Sequence, residues 1–282
     1  MGSGFEHTAL AVFTTLAPVG AGAFIALAYT FIVGKPDEAA AKRLDRWTAL
    51  PLAVLALGFA GAFMHLANPL NAFGVFAGMG TSPLSNEVAV GVVFAALAVV
   101  YWALALTGKL AVSARRVYLA VLAALALVFA AFCGLAYMMP TIPTWNTPLS
   151  IVQMVGYALA GGTLLGFCTV GLAHVKLPKG AGVVAVALTV AGVVVGAAGL
   201  GMQIAGLGDI RNIWGSAADL VPAIGGLLAI FAACGLVGAG LAYAASKKEF
   251  SPALMVAACV IVAAGIFMAR IGFYGLFMGI AL

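Results

Sequence analysis

The chain has 282 residues, 65% of them hydrophobic and only 7% charged, with a formal net charge of +5. A soluble globular domain carries roughly 25% charged residues. A water-soluble fold of this length is therefore excluded, because it could not hide so much apolar surface.

A membrane helix needs about 20 mostly apolar residues, and eight stretches qualify. In chain order they are expected at approximately 9–33, 48–66, 86–107, 117–139, 151–173, 181–204, 220–244 and 252–279. The connections are too short for a further soluble domain. Residues 1–282 are thus expected to form a single integral membrane domain, an all-α bundle of eight transmembrane helices.

The first stretch is preceded by Glu6 and His7 but by no basic residue, which argues against a cleaved signal peptide. Lys35, Lys42, Arg43 and Arg46 follow it. Lys109, Arg115 and Arg116 separate spans three and four, Lys176 and Lys179 follow span five, and Lys247 and Lys248 follow span seven. Eleven of the 13 basic residues thus fall on one side, with only Arg211 in a loop on the other and Arg270 inside span eight. Positive charge marks the cytoplasmic side, so both termini, the His65–Glu87 region and the 140–150 loop are expected to face outward. The basic excess is a topology signal and not a nucleic-acid patch.

Span two ends at His65, the only histidine within a hydrophobic stretch, and Glu87 stands in the opening turn of span three. A helix pair of this kind delivers both groups to the same side of the bilayer. Imidazole titrates at about 6.5, and apolar surroundings raise a carboxyl pKa, so the two suit proton uptake from a lipid-soluble donor. Each also has a plainer role, His65 as a solvated interfacial ring and Glu87 as a partner of the helix dipole. Gly58, Gly61 and His65 share one helical face, which predicts a His65 side chain directed into the bundle.

The 36 glycines are the small residues that let membrane helices pack closely. Cys133, Cys168, Cys234 and Cys259 all fall in spans without C-x-x-C spacing, as small buried residues do. Residues 58–67 (GFAGAFMHLA) align without gaps to 196–205 (GAAGLGMQIA). That match suggests two related four-helix units in which Gln203 corresponds to His65 and is chemically idle. Trp145 and Trp214 fit an aromatic belt. Arg270 lies about 27 Å into span eight at 1.5 Å per residue, near the outer end of a core roughly 30 Å thick, where it either snorkels or serves a site. Tyr274 is one turn beyond it on the same face.

Haem between helices needs two axial ligands, and the spans contain only His65; His7 would need an unusual reach. No phosphate-binding glycine loop and no clustered metal ligands occur. The absence of Asp, Glu and Lys from the middle of the spans argues against ion-coupled transport.

Several of these segments occur together in a known family. The opening Met1-Gly2-Ser3-Gly4, the block from His65-Leu66 through Pro69 and Ala72-Phe73 to Ser85-Asn86-Glu87, Pro143-Thr144-Trp145, and Arg270 with Phe273-Tyr274-Gly275-Leu276 give the chain its likeness. It resembles, nearly end to end, the membrane-anchor subunit of the anaerobic dimethyl sulfoxide reductases. One departure is Leu66-Ala67-Asn68-Pro69, where the family has Leu-Gly-Ser-Pro. The resemblance implies eight helices with both termini outside the cytoplasmic (inner) membrane and no cofactor bound by this chain. It further implies oxidation of menaquinol near the outer surface and electron transfer to an iron–sulfur subunit, which feeds a molybdopterin catalytic subunit. The chain would then be an anchor and not the site of terminal reduction. His65 and Glu87 are the residues tied to quinol oxidation, with Arg270, Tyr274 and Trp145 as further quinol-binding candidates. Two alternatives stay open: an anchor of a related polysulfide, nitrite or tetrathionate enzyme, and a non-redox transporter of a small molecule.

Overall fold

The structure is a computed structural model that describes residues 4–66, 69–213, 215–247 and 250–279. Met1–Ser3, Ala67, Asn68, Trp214 and Lys248, all named above, lie outside the described residues. Among those described, eight helical segments are long and apolar enough to cross a membrane: Gly4–Gly34, Glu38–Met64, Pro83–Leu106, Val112–Leu135, Leu149–Leu172, Ala181–Asp209, Ile224–Ala245 and Pro252–Gly275. The fold is an all-α polytopic bundle, as expected.

The first span is built of a 3-10 turn (Gly4–His7), α1 (Thr8–Tyr29) and a π-helical turn (Thr30–Gly34), and stops at Lys35 in the left-handed conformation. The second joins α2 (Glu38–Trp47) to α3 (Ala49–Met64). A 3-10 segment (Pro69–Gly78) leads to α4 (Pro83–Leu106), whose N-cap Ser82 accepts from Ser85 N and whose first position is proline, a paired start signal. Next comes α5 (Val112–Leu135). The fifth span is α6 (Leu149–Tyr157), a π-helical turn and α7 (Thr163–Leu172); α8 (Ala181–Gly206), α9 (Ile224–Ala245) and α10 (Pro252–Gly275) complete the bundle. A two-residue ribbon, Arg211–Asn212 with Gly215–Ser216, decorates the loop before α9.

Spans one and five are 72% and 78% enclosed over their most apolar windows, against 28–39% for the other six, so these two form the centre. Their packing depends on missing side chains. A Cβ on Gly58 would lie 2.5 Å from Ala17 N, so α3 and α1 touch backbone to backbone. The aligned segment of α8 sits correspondingly on span five: Gly196 abuts Tyr157 and Gly199 abuts Gln153. Related sequence segments thus pack on spans that a four-span duplication would make equivalent.

One boundary expectation is corrected. The charged stretch before residue 48 is not a loop but α2, an amphipathic helix capped by Asp37, which accepts from Ala40 N at 2.7 Å. Nor is Arg115 a loop cation. It is fully buried, with Nη1 3.2 Å from Asp45 Oδ2 and Nη2 3.3 Å from Glu38 Oε1. Tyr101 donates to Asp45 Oδ1 and Trp102 Nε1 to its carbonyl. This network ties α2, α4 and α5 together at the end rich in Lys and Arg. Ion pairing, invisible to hydropathy, lets these charges enter the helical region.

Candidate functional site

The site lies at the opposite end of the bundle and starts with the N-terminal turn. Gly4 fits against the backbone of α10 at Ile271 and Gly275, where any side chain would collide. This close approach straps Gly4–His7 onto α10 and carries the His7 ring to 5.7 Å from Tyr274, 6.3 Å from Trp145 and 6.2 Å from His65. The Nδ1 of His7 is buried without a hydrogen-bond partner among the described residues.

His65 caps the C-terminus of α3, and its N–H bonds to Ala62 O. The last bonds of α3 tighten to i−3, which ends the regular α-helical spacing of the Gly58–Gly61 face. The His65 side chain is therefore exposed at the bundle's end and leans toward His7, contrary to the inward direction expected from spacing. Partial desolvation, and then the nearby His7, hold its pKa below the ordinary histidine value. That lowering favours the neutral imidazole, which has a nitrogen able to accept a proton.

Behind this mouth stands Arg270, fully buried and not snorkelling. Its Nε donates to Thr14 Oγ1 at 2.9 Å, and its guanidinium lies over the rings of Phe273 (4.0 Å), Tyr274 (4.8 Å) and Tyr137 (5.1 Å). The hydroxyl of Tyr274 is hydrogen-bonded to Tyr137 and Thr14. Both remaining guanidinium nitrogens, Nη1 and Nη2, have no hydrogen-bond partner among the described residues. Glu87, one turn into α4, is 2% exposed with Oε1 likewise unpartnered. The Cys133 thiol lies against its carboxyl, and Arg270 is within electrostatic range. No ion pair within 4.0 Å joins Glu87 to Arg270, and no hydrogen bond joins Glu87 to His65, among the described residues. Arg270, Tyr274 and Trp145 thus form one cluster with His7 and His65 at its mouth, and Glu87 faces it from α4. Unpaired buried polar atoms are costly unless a ligand or water completes them.

Trp145 is buried, stacked on Phe273 at 5.5 Å, with its Nε1–H donating to Phe273 O. It is a wall of the cluster and not a lipid-facing belt residue. Its loop is held by Gln203, which donates to Thr144 O at 2.8 Å and accepts from Gln153 Nε2 at 2.7 Å. Gln203 is therefore not idle. Gln203→Ala leaves a buried carbonyl and a buried amide unpaired, at about 1–3 kcal/mol. The expected result is a lower thermal midpoint in detergent together with altered fluorescence of the buried tryptophan; an unchanged midpoint would contradict this role.

An apolar groove of about 400 Å³ runs between α3 and α4, from Leu52 past Phe59 to Phe63, two residues short of His65. Among the described residues no three His, Cys, Asp or Glu side chains are grouped to hold a metal ion.

Comparison with known proteins bears on this arrangement. Residues 1–276 match the family described as DMSO reductase anchor subunit (DmsC). The sequence is 32% identical to the C subunit of anaerobic dimethyl sulfoxide reductase from Escherichia coli (strain K12), over 100% of this protein and 99% of that one. It is 27% identical to the YnfH subunit of anaerobic dimethyl sulfoxide reductase from the same organism, again over 100% and 99%. The corresponding C subunit of Haemophilus influenzae is 32% identical over 59% of this protein and 60% of that one.

Proposed function

The chain belongs to the DMSO reductase anchor subunit family, and from that premise and the cluster at the bundle's end we propose that it binds and oxidises menaquinol near the outer face of the cytoplasmic membrane. The observation that carries this is the set of buried unpartnered polar atoms behind an exposed imidazole: Glu87 Oε1, Arg270 Nη1 and Nη2, with His65 at the mouth. A quinol headgroup offers hydroxyls to match them, and the groove ending at Phe63 suits its isoprenoid tail.

Neutral His65 accepts a hydrogen bond from one quinol hydroxyl and takes its proton as electrons leave. Arg270 holds the second oxygen through its free nitrogens, and the unpartnered Oε1 of Glu87 stands within electrostatic range of the guanidinium. Electrons pass directly to an iron–sulfur subunit docked outside, which supplies a molybdopterin-containing reductase. The exposed Met64, just before the 67–85 connection, and Phe73 within it suit that docking. The outward orientation of both termini is supported by the loop charges.

Isolation of the native complex in mild detergent tests this. The expected result is a stable assembly containing iron, labile sulfide and molybdenum but no haem, with crosslinks from the 67–85 and 140–150 segments. Bound haem, or crosslinks from the 35–47 segment instead, would contradict it.

A further inference from the structure

No spacing in the sequence marks His7 as part of the site, yet the fold builds it in. The Gly4 contact with α10 fixes its position, its ring touches Tyr274, Trp145 and His65, and its Nδ1 is buried with no partner among the described residues. Oxidation of one quinol breaks two O–H bonds and releases two protons with two electrons. A single imidazole holds one proton, so either it empties between the two steps or a second base shares the load. We propose that His7 is the second proton acceptor of the quinol site, working with His65 as an imidazole pair.

The inference rests on the quinol-oxidising reading above and adds a residue to it. His65 takes the proton of the first hydroxyl on a ring nitrogen, and Nδ1 of His7 takes that of the second. The two electrons leave singly to the iron–sulfur cluster of the docked subunit, and quinone remains. Like charges on neighbouring rings repel, so the proton on exposed His65 passes on to the outer solvent. The other ionisable groups around His7 are Glu6 on its own turn, Tyr274 and Arg270 on α10, Tyr137 in the loop after α5 and Glu87 on α4. Arg270 lies behind the tyrosine rings and opposes a second positive charge, which favours rapid release.

The test is the pH dependence of kcat/KM for a water-soluble naphthoquinol, measured on the intact complex and divided by reduced-dye-driven turnover at each pH. If both imidazoles must be neutral, the native ratio falls at the acidic end by about a hundredfold per pH unit, and in His7→Gln by about tenfold. His7→Gln should also lose at least about tenfold in quinol-driven kcat while dye-driven turnover is unchanged. A native profile limited to a tenfold slope, or a His7→Gln profile and kcat equal to native, overturns the proposal. If the glutamine variant fails to assemble, His7→Asn carries the same comparison, and the native slope decides on its own. Loss of quinol turnover in His65→Gln with a fully active His7→Gln sinks this inference alone. No naphthoquinol oxidation by the native complex sinks the underlying reading.

Discussion

Replacing His65 by arginine is expected to abolish quinol-driven turnover while complex assembly and dye-driven turnover survive. Arginine keeps bulk and hydrogen-bond donors but fixes a positive charge and offers no acceptor. Partial desolvation and His7 lower the pKa of His65 and so favour its neutral form, and only a neutral imidazole can receive the quinol proton. The same lowering sets the sign of the pH dependence: native activity persists on acidification to below the ordinary histidine pKa and is then lost as His65 takes up a solvent proton. The exposed position at the end of α3 means that arginine enters without disturbing the packed core. Both activities measured on one preparation check this. Near-native quinol oxidation in His65→Arg would contradict the site.

A larger structural effect is expected at Arg270. Its guanidinium is fully enclosed by Thr14, Phe273, Tyr274 and Tyr137, and it provides the positive charge nearest the buried Glu87. Removing a buried, hydrogen-bonded group leaves its partners unmet, at roughly 1–3 kcal/mol, and here the ring contacts of the guanidinium are lost as well. Arg270→Met should lower the detergent thermal midpoint by several degrees and cut quinol-driven turnover by two or more orders of magnitude. Glu87→Gln should impair turnover less than His65→Arg. An Arg270→Met complex with native midpoint and turnover would contradict the role assigned to the cluster.

The bundle is legible in the sequence because charge alternates between loops while the spans stay apolar, and both patterns are local. The second span's start is not, because the charges of α2 are neutralised by a residue 70 positions away: Asp45 meets Arg115 only in the folded bundle. At the candidate site, Arg270 and Tyr274 stand out by lying one helical turn apart. Their partners Thr14 and Tyr137 are 256 and 137 residues away in sequence and carry no motif. His7 is legible as lying on the same outer side as His65, Glu87 and Arg270, but its contact with the cluster is not. Its place depends on Gly4 touching the α10 backbone, a contact that leaves no side-chain signature. The direction of His65 departs from α-helical spacing at the end of α3, where the last bonds tighten to i−3. Gln203 has a structural task in the half of the chain where the titratable group is absent, a task visible only through its bonds to Thr144 and Gln153.

The central claim is that quinol gives up its protons at the outer end of the bundle, at His65, while its electrons go to a docked subunit. It is tested most directly in sealed vesicles holding the native complex with a pH indicator on one side at a time, pulsed with a naphthoquinol while iron–sulfur reduction is followed optically. Acidification of the outer-face compartment, simultaneous with cluster reduction and absent in His65→Arg, is the predicted result. Acidification on the side of the Lys- and Arg-rich loops, or cluster reduction that persists in His65→Arg, would contradict it.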